Sequence, residues 1–322
     1  MSETKPLVAI HCLVYNHEPY LRDCLEGFVM QQTNFPFVAI VHDDASTDGS
    51  ATIIREYEEK YPDIIKPIYE KENQYSKRDG SLGRIMSAAI EATGAKYVAM
   101  CEGDDYWTYP LKLQKQVDFL ETNLDFGFIG TRCLIKKSDV LTSEIYPLPK
   151  IIDVDGVEQY GDVFESFALY GPVTRTCSLM YRNSLLVDEK NLSGDYYMQA
   201  ILASKSKFAR LSSESCVYRI HSSGVSNDKT HQGMLNYIRW YVDQRLQINR
   251  RFPEIHPFDE QELHDMLEYK KMQISILQFD YTSYLNSKKA IKIPAYKKKN
   301  LYRLIIGKLS FYIISKLYCL KN

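Results

Sequence analysis

The sequence predicts an α/β fold: a mostly parallel central sheet with helices on both faces, followed by a helical C-terminal extension. Three observations predict it. Apolar runs of strand length alternate with helix-period segments through the first 130 residues. Two of those runs end in acidic loops, and open α/β sheets place their ligands at the carboxyl ends of strands. From His231 onward the pattern is helical.

The run from Leu7 to Val14 reads as a buried first strand, and Pro19–Gln32 as a helix with Leu21, Leu25, Phe28 and Val29 on one face. The strand Phe37–Val41 leads into an acidic loop, where Ser46 or Asp48 is expected to cap a helix over about Ala51–Lys60. Ile64–Tyr69 is a third strand, Leu82–Ala92 a helix ended by Gly94, and residues 96–101 a fourth strand. A helix carrying Leu113, Val117 and Leu120 follows Pro110. Shorter strands are expected at Gly127–Ile135, Cys177–Tyr181 and Ala209–Tyr218, with a helix near Asp195–Ser204. Two long helices close the pattern, Met234–Asn249 and Asp259–Ser283.

The composition, 45% hydrophobic and 25% charged over 322 residues, is that of a globular chain with room for one large domain and an appendage. Ten basic residues and no acid lie between Lys288 and Asn322, so the formal net charge of −1 divides into about −11 for the body and +10 for the tail. Within that tail, Leu301, Leu304, Ile305, Leu309, Ile313 and Leu317 recur at helical spacing. Either a peripheral contact with anionic lipid or packing on the acidic body fits this pattern. Arg303, Lys308 and Lys316 interrupt it too often for a membrane span. The seven cysteines are scattered with no C-x-x-C pair, which argues against a zinc site and a disulfide framework. With no apolar signal segment at the N-terminus, a cytoplasmic location is expected.

The chemistry concentrates in two loops. Glu102-Gly103-Asp104-Asp105 places three carboxylates in four positions after a strand, and Asp43-Asp44-Ala45-Ser46-Thr47-Asp48 follows another. Clustered acids repel one another, a cost that a shared divalent cation removes. A hard cation held by carboxylates on one side and by a phosphorylated substrate on the other is the expected arrangement.

These motifs, with Tyr15-Asn16 after the first strand, a Pro-x-Lys-Leu-x-x-Gln helix after the acid run, Gly194-Asp195-Tyr196, and Tyr218-Arg219-Ile220-His221, resemble family 2 glycosyltransferases. The resemblance covers roughly residues 6–225. It implies a GT-A fold with a domain over 1–225, a nucleotide-binding half to about residue 125 and an acceptor half from 126, and leaves 226–322 as the helical extension. It further implies an inverting transfer from a nucleotide-sugar donor, a UDP-sugar, to a glycan or lipid-linked acceptor of bacterial surface polysaccharide. Mg²⁺ or Mn²⁺ is the implied cofactor, and no nucleic acid is expected as a partner.

Carried over position by position, the resemblance places Tyr15 and Asn16 beside the base and ribose. Asp43 or Asp44 accepts a hydrogen bond from the base, which of the two being open. Asp104 binds the metal, and Glu102, standing where Asp is usual, meets the ribose or a metal-bound water. Asp105 supports the site or touches the sugar. Asp195 is the candidate general base, with a helix cap as its competing role. Gly194 stands where the family carries a second carboxylate. Arg219 and His221 are expected over the diphosphate, holding pyrophosphate or metal, with structural packing as the competing role. Trp107 either packs beside the acid loop or forms a sugar platform, and Gly171–Thr176 lines the acceptor side. Two other classes compete. A nucleotidyltransferase would need a glycine-rich phosphate loop where Val14–Pro19 has no glycine. A catalytically silent sugar-binding protein is motivated by the departures at Glu102 and Gly194.

Overall fold

The computed structural model describes residues 5–143, 152–154, 156–164, 166–167, 171–187, 189, 194–221, 224, 230–253, 259–278 and 280–292. The chain divides into two units, Met1–His221 and Ser222–Asn322.

The first unit is built on one sheet in the order β3-β2-β1-β4-β10-β6-β11-β9-β8. Its first half is a doubly wound parallel array. Strand β1 (Val8–Val14), helix α1 (Glu18–Val29), β2 (Phe37–Asp43), α2 (Ser50–Lys60), β3 (Ile65–Tyr69), α3 (Ser81–Thr93) and β4 (Tyr97–Met100) alternate along the chain. Strands β3, β2, β1 and β4 pair in parallel. Val8, Ile10, Cys12 and Val14 of β1 lie in one apolar core with Leu21, Leu25 and Phe28 of α1, as the apolar stripe of that helix requires. Because the strands run the same way, the loops at 14–17, 43–50 and 101–105 all emerge at one edge of the sheet.

The second half departs from parallel pairing. After β5 (Tyr106–Trp107) and α4 (Lys112–Thr122) come β6 (Phe126–Lys137), β7 (Val140–Ser143), β8 (Ile152–Val154) and β9 (Val157–Gly161). Short β10 (Met180–Arg182) enters antiparallel between β4 and β6, and α5 (Asp195–Lys205) precedes the long β11 (Lys207–Ile220). Strands β6 and β11 run parallel over most of their length, with β9 and β8 added antiparallel beyond them. Strand β5 pairs antiparallel with β11, Trp107 opposite Cys216 and Tyr106 opposite Val217. This two-residue ladder ties the acid loop to the end of β11. Trp107 is buried, its indole N–H donating to the Cys177 carbonyl at 2.7 Å and its ring edge-on to Phe28, so it packs in the core instead of offering a sugar platform.

His11 on β1 has no partner for Nδ1, and burial, with neighbouring His42, pushes its pKa from 6.5 down to about 4. The unfolded chain takes up this proton as pH falls through 6.5, whereas the folded chain resists until about 4. Stability is therefore full above pH 6.5 and falls below it, by up to about 3 kcal/mol at pH 4. In His11→Gln, urea midpoints measured across this range should show a shallower decline. An unchanged slope would assign the acid sensitivity elsewhere.

The second unit holds α6 (His231–Arg251), α7 (Glu260–Leu277) and α8 (Tyr281–Ala290). Thr230, Asp259 and Asp280 cap these helices through side-chain acceptors. The expected single helix over 259–283 is broken because Asp280 accepts from Ser283 N–H and starts a new one. Met272, Ile276, Tyr284 and Ile291 form a small core there. Among the described residues no helix is long and apolar enough to cross a membrane. The amphipathic tail expected over 301–320 lies outside the described residues.

Candidate active site

The end of β1 is the hub of the site. Asp44 N–H donates to the Val14 carbonyl on one side, and Gly103 N–H donates to the Leu13 carbonyl on the other, both at 2.9 Å. The two acidic loops therefore flank the same strand end.

The β1–α1 and β2–α2 loops are laced together. Asn16, at φ 56°, donates its N–H to Ser46 Oγ, and its side-chain oxygen accepts from Thr47 N–H at 2.8 Å. Glu18 N–H donates to Asp48, and Glu18 accepts in return from Gly49 N–H. Gly49 occupies the cap position of α2, with Asp48 accepting from Ser50 N–H, so Asp48 satisfies two helix starts while Ser46 serves Asn16. Tyr15 stands beside this lacing with its side chain nearly half exposed.

The sequence left Asp43 and Asp44 equivalent; their contacts separate them. Asp44 spends both carboxylate oxygens on backbone N–H groups, Gln74 at 2.6 Å and Tyr75 at 3.0 Å, pinning the loop that follows β3. Among the described residues the Asp43 carboxylate has one long hydrogen bond, from Ser46 N–H at 3.4 Å. Asp44→Ala should cost about 2–4 kcal/mol, the loss of two hydrogen bonds to a charged acceptor. Asp43→Ala should leave the urea midpoint nearly unchanged. Equal losses would erase the distinction. Lys77 and Arg84, in and after that loop, pair locally with Glu72 and Asp79 on the surface.

Asp104 lies between two imidazoles. His221 Nε2 is 3.0 Å and His17 Nε2 3.8 Å from Asp104 Oδ2. These neighbours hold the Asp104 pKa below its ordinary value against the opposing effect of burial. Gly103 is required here: a Cβ at that position would sit 2.8 Å from His17 Nδ1 and 2.9 Å from Val14 Cγ2. His17 went unremarked in the sequence; its place directly after Tyr15-Asn16 at a strand end was the available signal.

Asp105 is buried and accepts from Arg219 N–H at 2.8 Å, with burial and the Asp104 charge raising its pKa well above the usual carboxylate range. Arg219 is also buried. Its guanidinium donates to the Asp104 carbonyl at 2.7 Å, pairs with the Asp23 carboxylate, and lies 4.2 Å over the Tyr106 ring. The structure thus places Arg219 under the acid loop with its donors turned to protein groups. Tyr20 packs against His221 at 4.4 Å between ring centroids.

Glu102 and Asp195 complete the cluster. Burial, then the Asp104 and Asp195 charges, push the Glu102 pKa up to about 8, so the Asp195 carboxylate at the start of α5 acts electrostatically on the acid loop. Gly194, at φ 96°, occupies the cap position, which makes Asp195 the first helical residue and not the cap. Its oxygens accept from Thr176 Oγ1 and Tyr196 N–H, both at 2.8 Å. Thr176 comes from the segment expected to line the acceptor side.

Residues 10–154 match the model for Glycosyl transferase family 2. That stretch is a family 2 glycosyltransferase domain. The chain is 33% identical over 227 residues to an uncharacterised protein of Mycobacterium tuberculosis, covering 68% of this chain and 60% of the relative. It is 30% identical over 167 residues to the Bacillus subtilis protein TuaG, named for teichuronic acid biosynthesis, covering 52% of this chain and 60% of that one. The chain thus spans about 60% of the length of these curated relatives. Among solved structures it resembles the mannosyltransferase PcManGT of Pyrobaculum calidifontis in complex with GDP-Man and Mn²⁺ (TM-score 0.52, 15% identity, 98% of this chain and 85% of that one). It also resembles S. aureus TarS 1–349 in complex with UDP-GlcNAc (TM-score 0.51, 14% identity, 88% and 81%). At these identities the likeness establishes the GT-A fold.

Proposed function

We propose that this chain is an inverting, metal-dependent glycosyltransferase that passes a sugar from a nucleotide-diphosphate donor to a glycan or lipid-linked acceptor in bacterial surface polysaccharide synthesis. The observation that carries the proposal is that both acidic loops flank the end of β1, where Asp104 meets His221, with the Asp195 charge acting on Glu102 of the same loop. A nucleotide base and a reacting sugar have separate places on either side of β1.

The residues present fit a divalent cation. Asp104, its pKa held low, faces imidazole nitrogens from two other segments, and His17 Nδ1 is buried with no partner among the described residues. Asp104 and His221 would hold the ion, with His17 beside them. A bound cation supplies positive charge against the diphosphate as it leaves. The chain's own residues do the rest. Asp43, with acceptor capacity to spare, meets the base, and Tyr15 offers its exposed ring beside it. Asn16 and Asp44 act by fixing the two loops, and Arg219 by holding the acid loop from beneath. Asp195 accepts the proton of the incoming hydroxyl, its carboxylate aimed by Thr176. Glu102, on which the Asp195 charge acts, stands in for the carboxylate that Gly194 lacks, keeping two acids at the reacting centre.

UDP is the proposed donor nucleotide; TarS binds UDP-GlcNAc, whereas PcManGT binds GDP-Man. A panel of nucleotide sugars with Mn²⁺ should raise the melting midpoint for UDP-linked members, since a ligand bound only by the folded state stabilises it. Slow release of UDP without acceptor is expected. Release of pyrophosphate would point to a nucleotidyltransferase. Binding with no release toward any acceptor would point to a silent sugar-binding protein.

A further inference from the structure

Behind the site, in the core between β6, β11 and the turn at Thr176–Ser178, three cysteines far apart in sequence come together. The sulfurs of Cys133, Cys177 and Cys216 all lie within 4.8 Å of one another, Cys133 and Cys177 at 4.0 Å, and all three residues are fully buried. With metal–sulfur bonds of about 2.3 Å, neighbouring sulfurs around a tetrahedral zinc stand about 3.8 Å apart. The observed triangle is within a small adjustment of that spacing. The Thr131 hydroxyl, also buried, is 3.5 Å from Cys216 Sγ.

A second observation points to the same place. Lys112 is fully buried, its ammonium donating to Gln116 Oε1 at 2.9 Å and lying 4.0 Å from the Trp107 ring centroid. Among the described residues no carboxylate pairs with it; burial lowers its pKa to about 8, opposed only by the thiols of Cys216, Cys101, Cys177 and Cys133. A buried cation lacking an anion is costly, and the ordinary remedy is a counter-charge. The turn carrying Cys177 is fixed by the same helix and by β5: Gln116 donates to the Ser178 carbonyl at 2.9 Å, and Trp107 to the Cys177 carbonyl.

We propose that Cys133, Cys177 and Cys216 bind one soft divalent ion, zinc by its charge, with Lys112 as the buried counter-charge. Three thiolates and one dication leave a single negative charge, which the Lys112 ammonium cancels. The thiol protons pass to solvent as the ion binds. Thiolate ligands select zinc and its congeners over magnesium, so this site is chemically separate from the Asp104 pocket. The absence of C-x-x-C spacing in the sequence, which argued against such a site, reflects ligands supplied by three different elements.

The test uses the full chain and no sugar transfer, so it stands apart from the proposed activity. Elemental analysis of chain purified without chelator should find about one zinc per molecule. Refolding with Cd²⁺ should give thiolate-to-cadmium charge-transfer absorption, to which ions on carboxylate or imidazole are silent. Cys133→Ser and Cys216→Ser should lose that absorption at least about tenfold, and Cys24→Ala should retain it. Zinc below about a tenth of an equivalent, with no absorption in the native chain after refolding, overturns the proposal whether or not the variants fold. Retention in Cys133→Ser, or loss only in Cys24→Ala, overturns it too.

Discussion

Asp104→Asn should reduce sugar transfer by at least about a thousandfold while the melting midpoint moves by only a few degrees. The amide keeps the shape of the side chain and can still bond to His221, so the acid loop keeps its position. What goes is the negative charge that sits 3.0 Å from His221 Nε2 and 3.8 Å from His17 Nε2. Without it a bound cation would have only neutral ligands at that corner, and the charge it would supply against a departing diphosphate would be lost. Steady-state turnover with Mn²⁺, together with Mn²⁺ binding by paramagnetic resonance, checks both parts. Near-normal turnover with unchanged Mn²⁺ affinity would remove Asp104 from the metal site.

Asp195→Asn should lower kcat by about 10²–10⁴ and leave the KM for the donor within about a factor of two. The reason is geometric. Asp195 belongs to α5 and to Thr176 Oγ1, whereas the donor-side groups belong to the loops flanking β1. Asparagine retains an oxygen for Thr176 but is a poor proton acceptor. A variant that chiefly weakens donor binding would place Asp195 on the nucleotide side and remove the base role from it. Measuring kcat and donor KM separately decides between them.

How much of this was written in the chain differs from element to element. The first four strands were legible because each is a short apolar run closed by a polar or acidic loop. In a parallel array, those runs fix both the sheet and the edge where its ligands sit. The Asp43–Asp44 pair, Asp104 and Asp195 stood out as candidates because a carboxylate at a strand end or helix start has few structural uses in such numbers. The second half was harder. Strand β10 is three residues long and enters antiparallel between β4 and β6, a placement no local pattern encodes. Arg219 looked like a phosphate ligand because a cation near an acid loop has two possible directions to point, and only packing against Tyr106 and Asp23 chooses. Lys112 was invisible, since a lysine in a polar helix reads as surface until the fold turns it inward.

The pairing of Tyr106–Trp107 with Cys216–Val217 has a consequence for how this molecule becomes competent. Everything up to β4 can collapse locally, each crossover joining neighbours in the chain. The acid loop, however, receives His221 and Arg219 only after more than a hundred further residues have been made. A nascent chain released early would own a nucleotide cleft yet lack half of its reaction chamber. Competence therefore arrives late and all at once, with the docking of the unit's final strand.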